Sequence, residues 1–376
     1  MRVLLTAASL DARTGAELYV YDVATGLLAR GHRPVAFAPQ LGHVAEHLRD
    51  ATVPVARSLD DLGEPPDLIH GQDNHVFLTA LLRFPGVPGV RVCHGWEDER
   101  PTRFPRIRRY VAVDDTVRDR MTGEWGLPAT AVSTVRNFAD LRRFVPRAPL
   151  PSSPSRALLF SNYAAAHAAV VRQACLGAGL PLDVAGSSVG VAADHPEALL
   201  GQYDVVFAKG RCAIEAMAVG AAVILCDASG AGPMVTTTNI ADLHRVNFGL
   251  RALSSPLSPA VLAQELARYD AGDAARVSAH VRAVASMDDA VDRLVEVYEQ
   301  AWHDQAASPA PADDDLRAAA AYLTSLGPRL SWTQSTRAIT YQMLRRAYFR
   351  LQRVPVARRL LAGRRGAQRL QRRLRP

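Results

Sequence analysis

Short apolar runs alternate with stretches of helical period along most of this chain. RVLLTA (2–7) is too short for a helix and rich enough in branched residues for a buried strand. A polar loop follows, SLDARTGAE, containing Gly15. From Ala16 to Arg30 the residues Leu18, Val20, Val23, Leu27 and Leu28 recur near helical spacing, and GHRP closes that helix with Gly and Pro. The alternation then repeats. PVAFAP (34–39) predicts a strand, HVAEHLRD a helix and TVPVA (52–56) an extended segment. DLIHGQD (67–73) predicts a strand with a polar end, and NHVFLTALLRF a helix. GVRVCHGW (89–96), RRYVAVDD (108–115) and AVSTVRNFAD (131–140) are further strands with polar ends. Strand and helix alternating at intervals of roughly 20–30 residues predict a parallel, doubly wound α/β sheet.

APLPSSPS (148–155) interrupts the pattern with Pro and Ser, as a linker does. A second α/β series follows: RALLFSN, a helix over 164–178, PLDVAGSS, a helix near PEALLG, YDVVFA, a helix over 210–219 and AVILCDA. A last helix, MDDAVDRLVEVYEQAW (287–302), is counted with this series. ASPAPADDD (307–315) is polar, and what remains is helical in pattern and Arg-rich. The expected organisation is a first Rossmann-like domain over 1–147, a linker over 148–155, a second such domain over 156–306 and a basic helical tail over 316–376. A chain of 376 residues suits two domains better than one core.

Charge sharpens the division. Fifteen Arg and no acid lie from Leu316 to Pro376, so a net charge of +7 for the chain leaves −8 for residues 1–315. A basic tail on an acidic body suggests contact with phosphate, in lipid or nucleic acid, or serves solubility alone. In STRAITYQMLRRAYFRLQRVPV (335–356), Ile339, Met343, Tyr348, Leu351 and Val354 fall near helical spacing with Arg between them. That pattern suits a helix lying on an anionic membrane, an RNA-binding arm, or a helix packed back on the first domain; the membrane surface is the favoured partner and nucleic acid the less favoured. The four Cys (Cys93, Cys175, Cys212, Cys226) are scattered, so a disulfide framework or zinc site is not expected and a reducing cytoplasm fits. The N-terminus lacks the long apolar core of a signal peptide, and no apolar run is long enough to span a bilayer. The expected location is cytoplasmic, with peripheral attachment to the inner membrane face through the tail.

Chemistry concentrates in AKGRCAIEAMAVGAAVILCDASGAGP (208–233). Lys209 is the only lysine in the chain. Glu215 heads a helix of small residues, and DASGAGPM (227–234) is a small-residue loop after a strand, with Ser229 and Gly230 able to lie against a phosphate or sugar or simply to turn the chain. In doubly wound sheets, ligands gather beyond the carboxyl ends of strands. Asp73, His94, Asp114 and Asn137 stand at such ends and point toward one region.

These segments resemble the family 4 glycosyltransferases, two-Rossmann-domain enzymes of GT-B architecture. TGAELYVYDVATGLLARGHRPVAFAP is similar to the family's glycine-led opening. DLIHGQDNH, VRVCHGW, YVAVDDTVRDRM and VRNFADLRRFVP are similar to its following strand ends, and IEAMAVGAAVILCD to its donor motif. The resemblance runs over about residues 1–302 and rests on the order and spacing of the pieces. It implies transfer of a sugar from a nucleotide-sugar donor on the second domain to an acceptor on the first, with retention and without a metal or other cofactor. Glu215 is then the ribose ligand. Gly15, Lys209, Arg211, Ser229 and Gly230 are donor-side candidates, Lys209 and Arg211 offsetting the diphosphate charge. His94 and Asp114 are the catalytic candidates, and Asp73, His75 and Asn137 lie on the acceptor side.

Two departures stand out. Phe207 occupies the place where the family usually has a first Glu, eight positions before Glu215, and the loop FSNYAAAH (160–167) lacks the family's Arg and Lys. The expected function is transfer to a glycan, glycolipid or secondary metabolite. The alternative these departures support is a degenerate relative that only binds glycan or a partner enzyme.

Overall fold

The computed structural model describes residues 1–11, 14–95, 98–191, 195–311 and 313–326. Two sheets organise it, within one compact unit over Met1–Asp315. The first holds seven described strands, all parallel. Their order is Val55–Ala56, Arg33–Phe37, Arg2–Thr6, Leu68–Gly71, Gly89–Cys93, Ile107–Ala112 and Val132–Thr134. Arg2–Thr6 is the topological centre: Leu4 sits opposite Val35 on one side and Ile69 on the other. Val3, Leu4, Leu5, Leu68, Ile69, Val90 and Val92 are fully buried, as expected of parallel strands covered on both faces.

The second sheet runs Leu182–Ala185, Ala157–Phe160, Val205–Ala208, Ala222–Asp227 and Gly230–Met234. Its first four strands are parallel and the last is antiparallel. That last strand corrects the sequence expectation, in which GAGPM belonged to a loop. Ala231 exchanges both backbone hydrogen bonds with Ser255, and a Cβ at Gly232 would lie 2.5 Å from the Ala252 oxygen, so the small residues serve close backbone packing. The helix expected over 164–178 is also broken: a 3-10 turn at Ala164–Ala166 precedes the helix Ala168–Gly177, with His167 between them.

The last long helix, Met287–Ala307, continues the chain of the second sheet but packs on the first. Met287, Ala290, Val291, Leu294, Val297, Tyr298 and Ala301 make one buried stripe against Ile107–Ala112, Gly89–Cys93 and the helix Gly15–Ala29. At the crossing, a Cβ on Gly26 would come 2.7 Å from Val291, so this approach needs glycine. Tyr298 Oη lies 2.6 Å from His70 Nδ1 on a central strand, and Arg30 donates to Asp288 and Asp292. The crossover thereby ties the second series to the first sheet. Sequence periodicity found the helix but could not show which sheet its apolar stripe would meet.

Beyond the crossover, Asp315 is buried and its Oδ2 lies 2.6 Å from Arg106 Nε. Arg106 itself is 1% exposed and also donates to the carbonyls of Leu81, Phe84 and Val87. Residues 313–326 are helical. The expectation of an amphipathic basic helix over 335–356 lies outside the described residues. Among the described residues, no helix is long and apolar enough to cross a membrane.

Candidate active site between the two sheets

The strand Val205–Ala208 is fully buried, and the chain leaves it through Lys209 and Gly210 into the helix Arg211–Val219. Gly210 has φ 58° and ψ −133°, a backbone state that only glycine adopts without strain. It caps a helix that has no side-chain cap and no acid in its first turn. The opening of this helix is thus closed by none of its own side chains, which is the arrangement that receives anions. Ala213, Ala216 and Ala218 are buried, and the helix packs on the strand Ala222–Asp227 and the helix Ala271–Val284. Small residues set that close packing.

Glu215 lies one turn inside this helix rather than at its start; the first-turn side chain is the cation Arg211. Arg211 Nε is 2.7 Å from Glu215 Oε1, and Arg211 Nη2 is 2.5 Å from Asp22 Oδ2. Asp22 comes from the helix Gly15–Ala29 on the first sheet, so this triad joins the two halves of the molecule. Asp22 is 1% exposed and Glu215 5%. Burial pushes both carboxyls up, and the Arg211 guanidinium opposes that in each. The guanidinium is held above its usual range by the two carboxylates against a burial effect of opposite sign.

Lys209 Nζ lies 2.5 Å from Asp227 Oδ2, with about a third of its side chain exposed. Asp227 also accepts from the Ser229 N–H and hydroxyl, and Lys209 helps hold its carboxyl below the usual range against burial. His167 is buried, and neither ring nitrogen has a partner. Burial lowers its pKa, and Lys209 adds to that while Asp227 opposes it. Phe207 is fully buried in the apolar cluster behind the sheet, with Leu159, Ile224 and Met234.

The first sheet presents a different surface. His94 follows the strand Gly89–Cys93, and its backbone N–H donates to Asp98 Oδ2 at 2.5 Å. Its ring meets Tyr19 edge-on, with centroids 4.7 Å apart, and Tyr19 also packs on Phe138. Burial, then Arg91 and Arg211, push the His94 pKa down to about 3, so the imidazole is neutral at physiological pH. His70 is likewise pushed down to about 3 by burial first. His94 Nε2, Tyr19 Oη, His70 Nε2 and both amide atoms of Gln72 are buried without hydrogen-bond partners. Buried polar atoms are nearly always paired, so such a group at strand ends is suited to a ligand rich in hydroxyls.

Where the first sheet's last strand passes to the second half, Arg136, Asn137, Phe138, His244, Ser286 and Arg293 line a cavity of about 190 Å³. Backbone bonds from Ala139 to Ala285 and from Met287 to Ala139 pin this junction.

Residues 13–143 match the family model described as Glycosyltransferase Family 4. No curated protein matches the chain by sequence. Among solved structures, a glycosyltransferase from Rickettsia africae ESF-5 is 12% identical over 80% of this chain and 98% of its own, with a TM-score of 0.58. HepE of Anabaena, solved in complex with UDP-glucose, is 15% identical over 80% and 99%, with a TM-score of 0.56. AviGT4, a glycosyltransferase involved in avilamycin A biosynthesis, is 16% identical over 80% and 98%, with a TM-score of 0.51. The fold is GT-B. Its two facing Rossmann-like sheets place the cleft between the helix starting at Arg211 and the strand ends around His94.

Within this GT-B cleft Arg211 holds Glu215 and helps to lower the His94 pKa from the facing half. Gly15 is the first residue of its helix, and a Cβ there would meet nothing within 4 Å. Other expected residues have structural partners. Asp114 caps the helix Asp115–Asp119, its Oδ1 accepting from Val117 N–H at 2.7 Å, with its carboxyl pushed up by burial. Asp73 Oδ2 accepts from Ala8 N–H at 2.6 Å. His75 is exposed on the helix Asn74–Arg83, and Asn137 lines the junction cavity. Gly230 pairs with Asp227 at the start of the antiparallel strand, and Ser229 is in the turn before it. Sequence reasoning missed Asp22, Tyr19, Gln72 and His167. Asp22 carried a signal, an acid on the apolar-periodic face of the first helix between Tyr19 and Val23.

Proposed function

We propose that this protein is a glycosyltransferase moving a sugar from a nucleotide-sugar to a glycan, glycolipid or secondary-metabolite acceptor, with retention. The observation that carries this reading is the glycine-led, uncapped start of Arg211–Val219 with the buried carboxylate of Glu215 one turn inside it. The helix start receives the diphosphate and Glu215 accepts hydrogen bonds from the ribose hydroxyls. Lys209, at the mouth of that helix, exchanges Asp227 for phosphate as negative charge develops on the leaving group. Arg211 is held by two carboxylates already and has a supporting role.

On the facing sheet, neutral His94 and Tyr19 present unpartnered polar atoms to sugar hydroxyls. His94 is the better catalytic candidate than Asp114, whose carboxylate is engaged as a helix cap. HepE, crystallised with UDP-glucose, makes a uridine nucleotide the first donor to try. The protein acts in the cytoplasm, with the Arg-rich segment from Leu316 onward drawing it to an anionic membrane face.

A second reading has its own support. Phe207 is in the core, and the loop at 160–167 offers His167 but no Arg or Lys, so less charge faces a diphosphate than the resemblance implies. In that reading the cleft binds nucleotide or glycan without turnover. Incubation with UDP-, GDP- and ADP-sugars separates the two, with release of free nucleotide followed by phosphorus NMR. Turnover of one donor, lost in Glu215→Ala, supports the transferase. Binding without release of nucleotide over a broad acceptor screen supports the degenerate form, and no binding at all contradicts both.

A further inference from the structure

Asp22 belongs to the first sheet's leading helix, yet its carboxylate is 2.5 Å from an arginine on the other side of the cleft. It is 1% exposed, so it has exchanged water for Arg211 almost completely. The geometry of Arg211 gives the pairing its meaning. The Nε–H and one Nη group of a guanidinium form a fork that grips both oxygens of a single carboxylate side-on. In this cleft the two tines are divided: Nε goes to Glu215 Oε1 at 2.7 Å and Nη2 to Asp22 Oδ2 at 2.5 Å. Arg211 is four residues before Glu215 on one helix, so it stays within reach of that carboxylate whatever the other half of the molecule does.

We infer that Asp22 is a positioning residue for nucleotide binding: by holding one tine of the Arg211 fork it prevents side-on capture of Glu215 and leaves that carboxylate able to accept from a ribose. This rests on the assignment of Glu215 as the ribose ligand. A buried cation that loses one of two anionic partners closes on the other, because an unpaired buried charge is costly. Without Asp22 the fork would close on both Glu215 oxygens and compete with the ribose. Because Asp22 and Glu215 sit on opposite halves, the contact also makes nucleotide affinity depend on how the halves meet. Burial pushes the Asp22 carboxyl up, and the Arg211 guanidinium opposes that shift.

The test is calorimetric titration of UDP, GDP and ADP, and of uridine, guanosine and adenosine, into the full chain and its variants. Asp22→Ala is expected to weaken the preferred nucleotide and its nucleoside alike, about tenfold, the size of one hydrogen bond to a charged group. Asp22→Asn keeps an acceptor oxygen and a full-sized side chain, serves as the second variant should Asp22→Ala not fold, and is expected to weaken binding in the same direction but by less than Asp22→Ala. In the Glu215→Ala background, Asp22→Ala is expected to add little, because the carboxylate it protects is gone. A purely structural role would lower thermal stability in both backgrounds and leave affinity unchanged. If Glu215→Ala weakens binding and folded Asp22→Ala or Asp22→Asn binds as tightly as wild type, the inference is overturned and the ribose assignment stands. If Glu215→Ala binds as wild type does, both fall.

Discussion

Two helices open on glycine at strand ends facing the cleft, and they open differently. Gly15–Ala29 is closed by its own residues: Glu17 accepts from the Thr14 N–H and hydroxyl in a capping box. Arg211–Val219 has Gly210 at the cap, no capping side chain and a cation in its first turn. The first helix satisfies its terminus internally and sends one buried acid, Asp22, across the cleft. The second leaves its terminus to whatever binds there. In the first helix the glycine is the first helical residue behind a Thr14 cap, and in the second it is the cap itself. The surroundings differ in the same sense. The first sheet offers neutral rings and amides (Tyr19, His70, Gln72, His94), the second offers charges in pairs.

The largest effect of a single substitution is expected at the bridge between the two helices. Arg211→Met leaves Asp22 and Glu215 buried without their cation and should cost about 3–5 kcal/mol of stability, measured by urea unfolding. A loss under about 1 kcal/mol would mean the carboxylates reach water, against their near-complete burial. Next comes acid, which acts on the neutral side. The buried His70 and His94 both titrate near 3 instead of 6.5, so below 6.5 the unfolded chain takes up protons that the folded one refuses. Stability is therefore full above pH 6.5 and falls as pH drops toward 3, by about 1.4 kcal/mol per unit for each such His at most. His94→Asn should flatten that slope; an unchanged slope would place His94 in contact with solvent.

Gly210→Ala forces a Cβ into a backbone state reserved for glycine and should cost about 1–3 kcal/mol of stability, with nucleotide affinity falling too because the helix start is displaced. Thr14→Ala should cost about 0.5–2 kcal/mol through loss of the capping box, read by thermal unfolding. If Thr14→Ala lowers nucleotide affinity as much as Gly210→Ala does, the contrast between the two helix openings disappears.

Much of the fold was legible because both sheets are buried on both faces. The strands at 2–6, 89–93, 205–208 and 222–227 stand out as short, mostly apolar runs between helical periods. What escaped depends on contacts distant in sequence. The stripe on Met287–Ala307 has a clear period, but its burial against the first sheet is a matter of topology. Gly230–Met234 has the composition of a turn and is a strand because it folds back antiparallel on Ala222–Asp227, with a further bridge from Ala231 to Ser255. At the candidate site, motif resemblance pointed to Glu215 and His94, which follow the strands Val205–Ala208 and Gly89–Cys93. It could not find Asp22, whose partner is 189 positions away, nor show that the fork of Arg211 is shared between two acids. Asp114, a candidate base in sequence, accepts from the Val117 N–H as a helix cap, a contact that composition alone does not reveal.

The central claim is that a nucleotide binds at the open start of Arg211–Val219 with its ribose on Glu215. Titration of UDP, GDP and ADP into wild type, Glu215→Ala and Thr14→Ala tests it directly. The account predicts one preferred nucleotide, bound about 1.5–3 kcal/mol more weakly by Glu215→Ala and nearly unchanged by Thr14→Ala. Equal affinity in wild type and folded Glu215→Ala would contradict it.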